Sequence, residues 1–438
     1  MATKTYTYDN TPVDNYNEFL KEHFHTGMVE EEFAMLNWFM QKCKVTKDWL
    51  QGPARIQFKK SKASTVVKGG LAAEGEINGT TYVEGTILEP AKWSGALRFK
   101  RQDIIMHGQV NEENLFNLLP DSIKDLTEVM EQTFSLALFG DGTLTKTIDV
   151  GDATGIKVKN TDRIGIGFKV QLDDGSDQVS GYISKIDKNT GKIELRPNMD
   201  LTGAVVNCTG IDAKAGVYMT ENSALPGGSN NEFFSLVDHL LPAAGGLGGS
   251  DTLFGLNKAD HPCLQSILVD GSSIDGTAGT GDGKALLKKI FGAMAKAKRL
   301  KAKVNTLVCS YNTYAHICNA LQDESGAFKN VGTAMDYSGY SSISVTWMGQ
   351  KLEVVGLADC DDDKVMAINT AHLEFKSSPK SYFEVVESPD GLKYYVDRNV
   401  ADGDYYYITD IMLQGQFVYT HVFDAFVIHS IALPLLEV

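Results

Sequence analysis

Few residues in this chain stand at spacings that could do chemistry. The stretch Gly276–Ala285, GTAGTGDGKA, follows the apolar LQSILVDG, and its Gly283 and Lys284 open a helical pattern. In that arrangement backbone amides and a lysine cradle phosphates. Here Ala278 stands where the first glycine belongs, and Ala285 replaces the hydroxyl that would hold magnesium, so the pattern fails as a nucleotide loop. Two acidic pieces, DDGSD at Asp173–Asp177 and CDDDK around Asp361–Asp363, carry charge enough to attract a divalent cation. Neither has the ligand spacing or closing glutamate of a calcium loop, and both read as turns. His23 and His25 form one HxH, and the other seven histidines stand alone, without the spacing of a metal site. With no GxSxG, no HExxH and no Cys/His pair in a recognisable context, the expectation is a protein that is not an enzyme and has no cofactor and no metal.

Charge is the remaining pattern. In KALLKKIFGAMAKAKRL, Leu286, Leu287, Ile290, Phe291, Met294 and Ala297 fall on one side of a helix, while Lys284, Lys288, Lys289, Lys296, Lys298 and Arg299 fall mostly on the other. Lys288, Lys289, Lys296 and Arg299 therefore form either a solvated face or one that meets nucleic acid. The chain as a whole has 41 Lys and Arg against 56 Asp and Glu, a net charge of -15, which excludes a nucleic-acid binder that uses its whole surface. Six scattered cysteines, none in a CxxC pair and most in apolar strings such as TLVCSY, read as reduced, buried thiols of a cytosolic product. The start, MATKTYTYDN, lacks the charged and apolar regions of a signal peptide, and no apolar run reaches the length of a membrane span.

The elements that must position these residues are varied. At 438 residues, 43% hydrophobic and 22% charged, the chain has the balance of a globular protein of two or three domains. From Phe116 to Thr143 runs a long amphipathic helix in which Ile123, Leu126, Met130, Phe134, Ala137 and Leu138 recur at helical spacing. Asp121 and Ser122 are placed to cap its start after Pro120, and Gly140 to end it. Before it, residues 54–100 alternate like a long two-stranded loop with a polar, glycine-rich tip, and an isolated hairpin of that kind needs a partner surface. Residues 1–52 end in VEEEFAMLNWFMQKCKVTKDWL, where Phe33, Leu36, Trp38 and Phe39 leave almost no polar face and must be covered by the chain's own core or by a neighbour. Residues 144–217 break into short alternating segments separated by turn signals, the pattern of a small antiparallel barrel or sandwich inserted into a larger domain. Residues 243–283 are rich in Gly, Ser, Asp and Thr and read as surface loops, followed by a helix, the strand NTLVCS, a second helix and a strand-rich remainder.

In this order the pieces resemble the major capsid proteins of tailed bacteriophages, which share the Hong Kong 97 fold. RFKRQDIIMHGQV with the long helix and FGDGT is similar to that family's strand, spine helix and glycine-rich turn. KALLKKIFGAMAKAKRLKAKVNTLVCSYNTYAHICNALQDESGAF is similar to the helix, strand and helix of its axial domain, and ISVTWMGQKLEVVG with KVMAINTAHLEF to the paired strands that follow. The resemblance implies an α+β fold comprising an N-terminal arm (1–52), an extended β-hairpin loop (53–100), a peripheral domain with the spine helix (101–143), an inserted barrel-like β domain (144–217), an axial domain (218–380) and C-terminal strands returning to the peripheral domain (381–438). It further implies self-assembly into pentamers and hexamers of an icosahedral shell around double-stranded DNA, contacted nonspecifically. Assembly would take place in the host cytoplasm, away from any membrane, and the protein would end in the virion. A separate scaffolding protein is expected, because little chain precedes the extended loop, together with a portal and decoration proteins. The candidate contacts between subunits are Phe33, Leu36, Trp38 and Phe39 in the arm and Arg55, Lys59, Lys60, Lys68, Trp93 and Arg98 in the extended loop. Some family members crosslink a loop lysine to an asparagine, but nothing in the sequence marks one of these lysines for that chemistry. The alternatives are an encapsulin-like compartment of the same fold, against which the length and the insertion count, and a soluble enzyme using the loops at 243–283.

Overall fold

The computed structural model describes residues 37–47, 49, 53–60, 81–87, 90–100, 112–139, 144–159, 161, 164–174, 177–198, 201–213, 215–218, 233–243, 247, 249–274, 282–323, 334–335, 341–347, 350–377, 383–385, 395–398 and 405–434. Two compact units are formed. One is drawn from Met1–Ile56, Thr86–Gln132 and Thr370–Thr420, the other from Gln57–Gly85, Thr133–Asn369 and His421–Val438.

In chain order, helix α1 (Trp38–Lys42) and strand β1 (Lys44–Thr46) precede the paired strands β2 (Ala54–Lys59) and β3 (Tyr82–Ile87), strand β4 (Ala91–Lys100) and helix α2 (Glu112–Phe139). Next come β5 (Thr145–Lys146), β6 (Ile156–Lys157), β7 (Lys169–Asp173), β8 (Gln178–Asp187), β9 (Lys192–Arg196) and β10 (Gly216–Tyr218). A short α3 (Leu236–Leu240), the small pair β11 (Thr252–Leu253) and β12 (Leu256–Asn257), and β13 (Ile267–Asp270) lead to α4 (Asp282–Arg299), β14 (Thr306–Ser310) and α5 (Tyr311–Asp323). The remainder is strand: β15 (Ala334–Met335), β16 (Ser341–Trp347), β17 (Gln350–Leu357), β18 (Val365–Ile368), β19 (Leu373–Lys376), β20 (Phe383–Val385), β21 (Tyr395–Arg398), β22 (Tyr405–Tyr419) and β23 (Phe426–His429).

Helix α2 begins at Glu112 and not at the cap expected at Asp121–Ser122, so Pro120 lies inside it. An interior proline removes one backbone hydrogen bond at a cost of ~3 kcal/mol. Strong helix formers on both sides, EENLFNLL before it and IKDLTEVMEQ after it, carry the helix across that loss. Further along, Lys124, Asp125 and Glu128 are exposed while Thr127 and Met130 are buried, and every residue from Phe134 to Phe139 is buried. The helix thus turns from amphipathic to apolar on all sides, which requires cover all round its last turns. The Gly-Asp-Gly turn expected after it lies outside the described residues.

The first unit is organised on β22. Strand β4 lies antiparallel along one edge in a register running from Ala91 opposite Gly415 to Lys100 opposite Tyr406, and β20 and β21 lie along the other edge. Strand β19 pairs with residues 416–419 of β22, and β1 adds to β19 in parallel. A Cβ at Gly95 of β4 would stand 2.8 Å from Leu126 Cδ1 and 3.1 Å from Met130 Sδ, so α2 crosses this strand where only glycine leaves room. Asn37 caps α1: its Oδ1 accepts from the N–H groups of Phe39 (3.0 Å) and Met40 (3.1 Å), while its Nδ2 donates to Glu131 Oε1 (2.8 Å).

In the second unit, β5 to β10 form one antiparallel sheet in the order β5-β10-β7-β8-β9-β6. A bridge between Thr147 and Val158 joins the two end strands, and Ile148 N–H donates to Lys157 O at 2.9 Å, which closes the sheet into a small barrel. Its interior holds Leu144, Ile156, Val170, Leu172, Ile183, Ile193, Leu195 and Val217. Its entry and exit are neighbours, since Leu144 N–H donates to Val217 O at 2.8 Å.

A seven-stranded mixed sheet, β13-β23-β18-β14-β17-β16-β15, builds the other large core of this unit. Its parallel pairs are β13 with β23 and β14 with β17. Every residue of β14 and β18 is buried, as central strands covered on both faces must be. Helices α4 and α5 share a core with this sheet, where Leu286, Leu287, Ile290 and Met294 meet Leu307, Val354 and Ile428. Burial of each such side chain is worth about 1.5–3 kcal/mol. Among the described residues no helix is long and apolar enough to cross a membrane.

Candidate assembly and polyanion-facing surfaces

The paired strands β2 and β3 place Ile56, Phe58 and Ile87 inward and expose Arg55, Gln57 and Glu84; Lys59 is half-buried and Lys60 exposed. Gln57 Nε2 donates to Glu84 Oε1 at 3.0 Å, and Lys60 N–H donates to Thr81 O at 2.8 Å. Phe58, 1% exposed, stacks on Phe254 with centroids 6.0 Å apart. Phe254 in turn meets Phe234 at 4.8 Å and the His239 ring at 5.4 Å, both edge-on, so an aromatic cluster holds Phe58 in the second unit. Lys258, itself buried, donates through Nζ to the carbonyls of Leu241 (2.7 Å) and Asp238, satisfying the end of α3 with a cation as helix dipoles favour. Burial lowers its ammonium to about 8, against the pull of Asp238 and Asp251. Burial likewise pushes the His239 imidazole down to about 3; the carbonyl of Ser235 opposes this and Lys258 adds to it, so the ring is neutral and donates from Nδ1 to Ser235 O at 2.7 Å.

Of the arm residues, Trp38 is 8% and Phe39 1% exposed. Phe39 meets Phe417 edge-on at 4.9 Å, which places it in the core of its own unit and not on a surface open to a neighbour. Trp93 is half-buried in β4, opposite Leu413, and Arg98 lies opposite Ile408 in the same ladder. Phe33, Leu36 and Lys68 lie outside the described residues, as does the loop tip.

Helix α4 does separate its charges from its core. Lys288, Lys296 and Arg299 are exposed and Lys289 is half-buried, donating to Asp270 O at 2.9 Å. Beside the helix lies a groove of about 470 Å³ lined by Val269, Ala285, Lys288, Lys289, Gly292, Ala293 and Lys296. The phosphate-loop reading of Gly283 has a packing explanation: a Cβ there would stand 2.5 Å from His316 O and 2.9 Å from Ala320 Cβ, so this glycine lets α4 approach α5. Residues 276–281 lie outside the described residues. Asp361 and Asp363 bind Lys364 at 3.0 and 3.7 Å, and no group of three metal-ligating side chains occurs among the described residues. All six cysteines are free thiols, and burial pushes Cys208 up to about 11 and Cys309 higher still.

No known family's sequence profile matches the chain, and no curated protein matches it. Among solved structures it is similar to the capsid asymmetric unit of cyanophage A-1(L), at 12% identity over 92% of this chain and 93% of that one, with a TM-score of 0.50. The chain has the Hong Kong 97 capsid fold. The capsid of a native GTA particle is also similar, at 11% identity over 91% of this chain and 90% of that one, with a TM-score of 0.40. Within the Hong Kong 97 fold of this chain, the inserted antiparallel β domain is the closed barrel of β5 to β10. Sequence reading missed the Phe58–Phe254–His239–Lys258 cluster, whose only local sign was the inward alternation of Ile56 and Phe58.

Proposed function

We propose that the chain is a major capsid protein that assembles into pentamers and hexamers of an icosahedral shell around double-stranded DNA, in the virion of a tailed phage. One observation carries this reading: a likeness in fold to a phage capsid subunit that extends over nearly the whole of both chains. The division into arm, extended loop, peripheral domain with α2, inserted barrel, axial domain and returning C-terminal strands is part of the same proposal. In it, the strand pair β2–β3 and the residues beyond it, with Arg55, Lys59, Lys60, Lys68, Trp93 and Arg98, reach neighbouring subunits, joined by Phe33 and Leu36 of the arm. The anchoring of β2 supports this, because Phe58 stacked on Phe254 gives the paired strands the partner surface that an isolated pair lacks. Closed shells of this kind follow from symmetric, repeated interfaces. The partners are other copies of the chain, a separate scaffolding protein, a portal, decoration proteins and DNA met through few nonspecific contacts. An acidic chain fits that last role if its cations are local.

Sedimentation velocity of the full chain at micromolar concentration, with and without a co-expressed scaffold, tests this reading. Capsomer-sized and larger species are expected, and a well-behaved monomer under every condition would contradict it.

A further inference from the structure

The groove along α4 combines three features that a solvated lysine face does not need. Its floor is apolar, made by Val269, Ala285 and Ala293. Lys288 and Lys296 stand on its rim with Gly292 midway between them, and the spacing of four residues puts all three on one stripe of the helix. Gly292 itself is exposed, and a Cβ there would meet nothing within 4 Å. Glycine inside a helix is unfavourable relative to alanine, and among the described residues nothing in the packing calls for it here. Close approach by another backbone would. The segment from Asp282 to Lys303 carries eight basic residues and a single acid, in a chain of net charge -15, so the groove is a local positive site on an acidic molecule.

We propose that this groove seats one acidic, amphipathic helix of a separate protein, its small apolar residues against Gly292 and Ala285 and its carboxylates on Lys288 and Lys296. Helix-in-groove docking buries an apolar stripe and fixes register by charge at the rim. Duplex DNA is the competing polyanion, and the apolar floor decides against it: a phosphate backbone gains nothing from contact with Val269, Ala285 and Ala293. A second copy of this chain could meet the groove only through a different, acidic surface, and that outcome is read directly as self-association abolished by Gly292→Leu. The inference rests on the groove alone and stands independently of shell formation.

The test uses the full chain kept as unassembled subunits and a synthetic helical peptide of about 18 residues, long enough to run the ~27 Å of α4. The peptide carries leucines at i and i+4 spacing flanked by glutamates; a control has the same glutamates with serine in place of leucine, and a duplex DNA oligonucleotide is the second probe. Saturable one-to-one binding of the leucine peptide is expected, with at least about tenfold weaker binding of the serine control and of DNA at physiological salt. Gly292→Leu should weaken peptide binding by about tenfold or more without lowering the thermal midpoint, and Lys288→Glu with Lys296→Glu should do the same should the first variant misfold. Gly292→Ala should raise the midpoint while weakening binding. Failure of the leucine peptide to bind, equal affinity for the serine control or DNA, insensitivity to these variants, or self-association abolished by Gly292→Leu would each overturn the proposal. Shell assembly that proceeds normally in Gly292→Leu chains would leave the shell reading untouched.

Discussion

The strands of the inserted barrel come from one continuous stretch and close on themselves through the Thr147–Val158 bridge, whereas the sheet of the first unit gathers strands from three distant stretches onto β22. The barrel keeps its backbone groups paired within the ring. Among the described residues β4 pairs only with β22 and β1 only with β19, so the first unit's sheet presents edge strands. Edge strands are templates for further pairing unless they are blunted, which fits the assembly proposed for this chain. The comparison teaches how differently the two sheets are built: the barrel's strands are consecutive in sequence, with Leu136 of α2 added to its core, whereas the other sheet is held by strands far apart in sequence.

The sharpest way to break this contrast is to weaken each region separately. Phe39→Ala should cost about 3–5 kcal/mol, because it empties a fully buried site against Phe417. In calorimetry or denaturant titration the loss should fall on the transition of the first unit and spare the barrel's. Leu172→Ala, deep in the barrel, should cost about 2–5 kcal/mol and do the reverse. If both substitutions move a single common transition, the two units do not unfold separately. Asn37→Ala should cost about 1–2 kcal/mol, since it removes the cap of α1 together with the bond to Glu131, and its effect should track that of Phe39→Ala.

The smallest effect concerns pH. His239 is neutral when folded because burial depresses its pKa to about 3, while the unfolded chain takes up that proton near 6.5. A depressed folded pKa gives stability that is full above about 6.5 and lost as pH falls towards 3. His239→Leu should therefore flatten the acid limb of the stability curve, by at most about 1.4 kcal/mol per pH unit over that window. An unchanged acid limb would show that His239 is not held neutral by burial.

Much of the fold was legible because its signals are local. The periodicity of Met130, Phe134, Ala137 and Leu138 marked α2, the turn signals between short alternating runs marked the inserted β domain, and the two-faced pattern of Lys284–Arg299 marked α4. What escaped was non-local. Pro120 read as a boundary because its cost is local, whereas the helix that overrides it draws on both flanks. The parallel pairs β1–β19 and β13–β23 join residues far apart in sequence, and no periodicity announces a partner. For the surfaces, the basic residues of α4 were visible, but the groove was not: it depends on Val269 coming beside Ala285 and on Gly292 having open space above it. The burial of Phe39 on Phe417 is likewise a tertiary fact, and an apolar arm looks the same in sequence whether it covers its own core or a neighbour's.

The measurement that tests the central claim most directly is electron microscopy of particles formed by the purified full chain under reducing conditions, with a co-expressed scaffold where needed. The account predicts closed shells, tubes or capsomer rings with five- and six-fold clusters of subunits. Dispersed single subunits or small irregular oligomers under all of these conditions would contradict it.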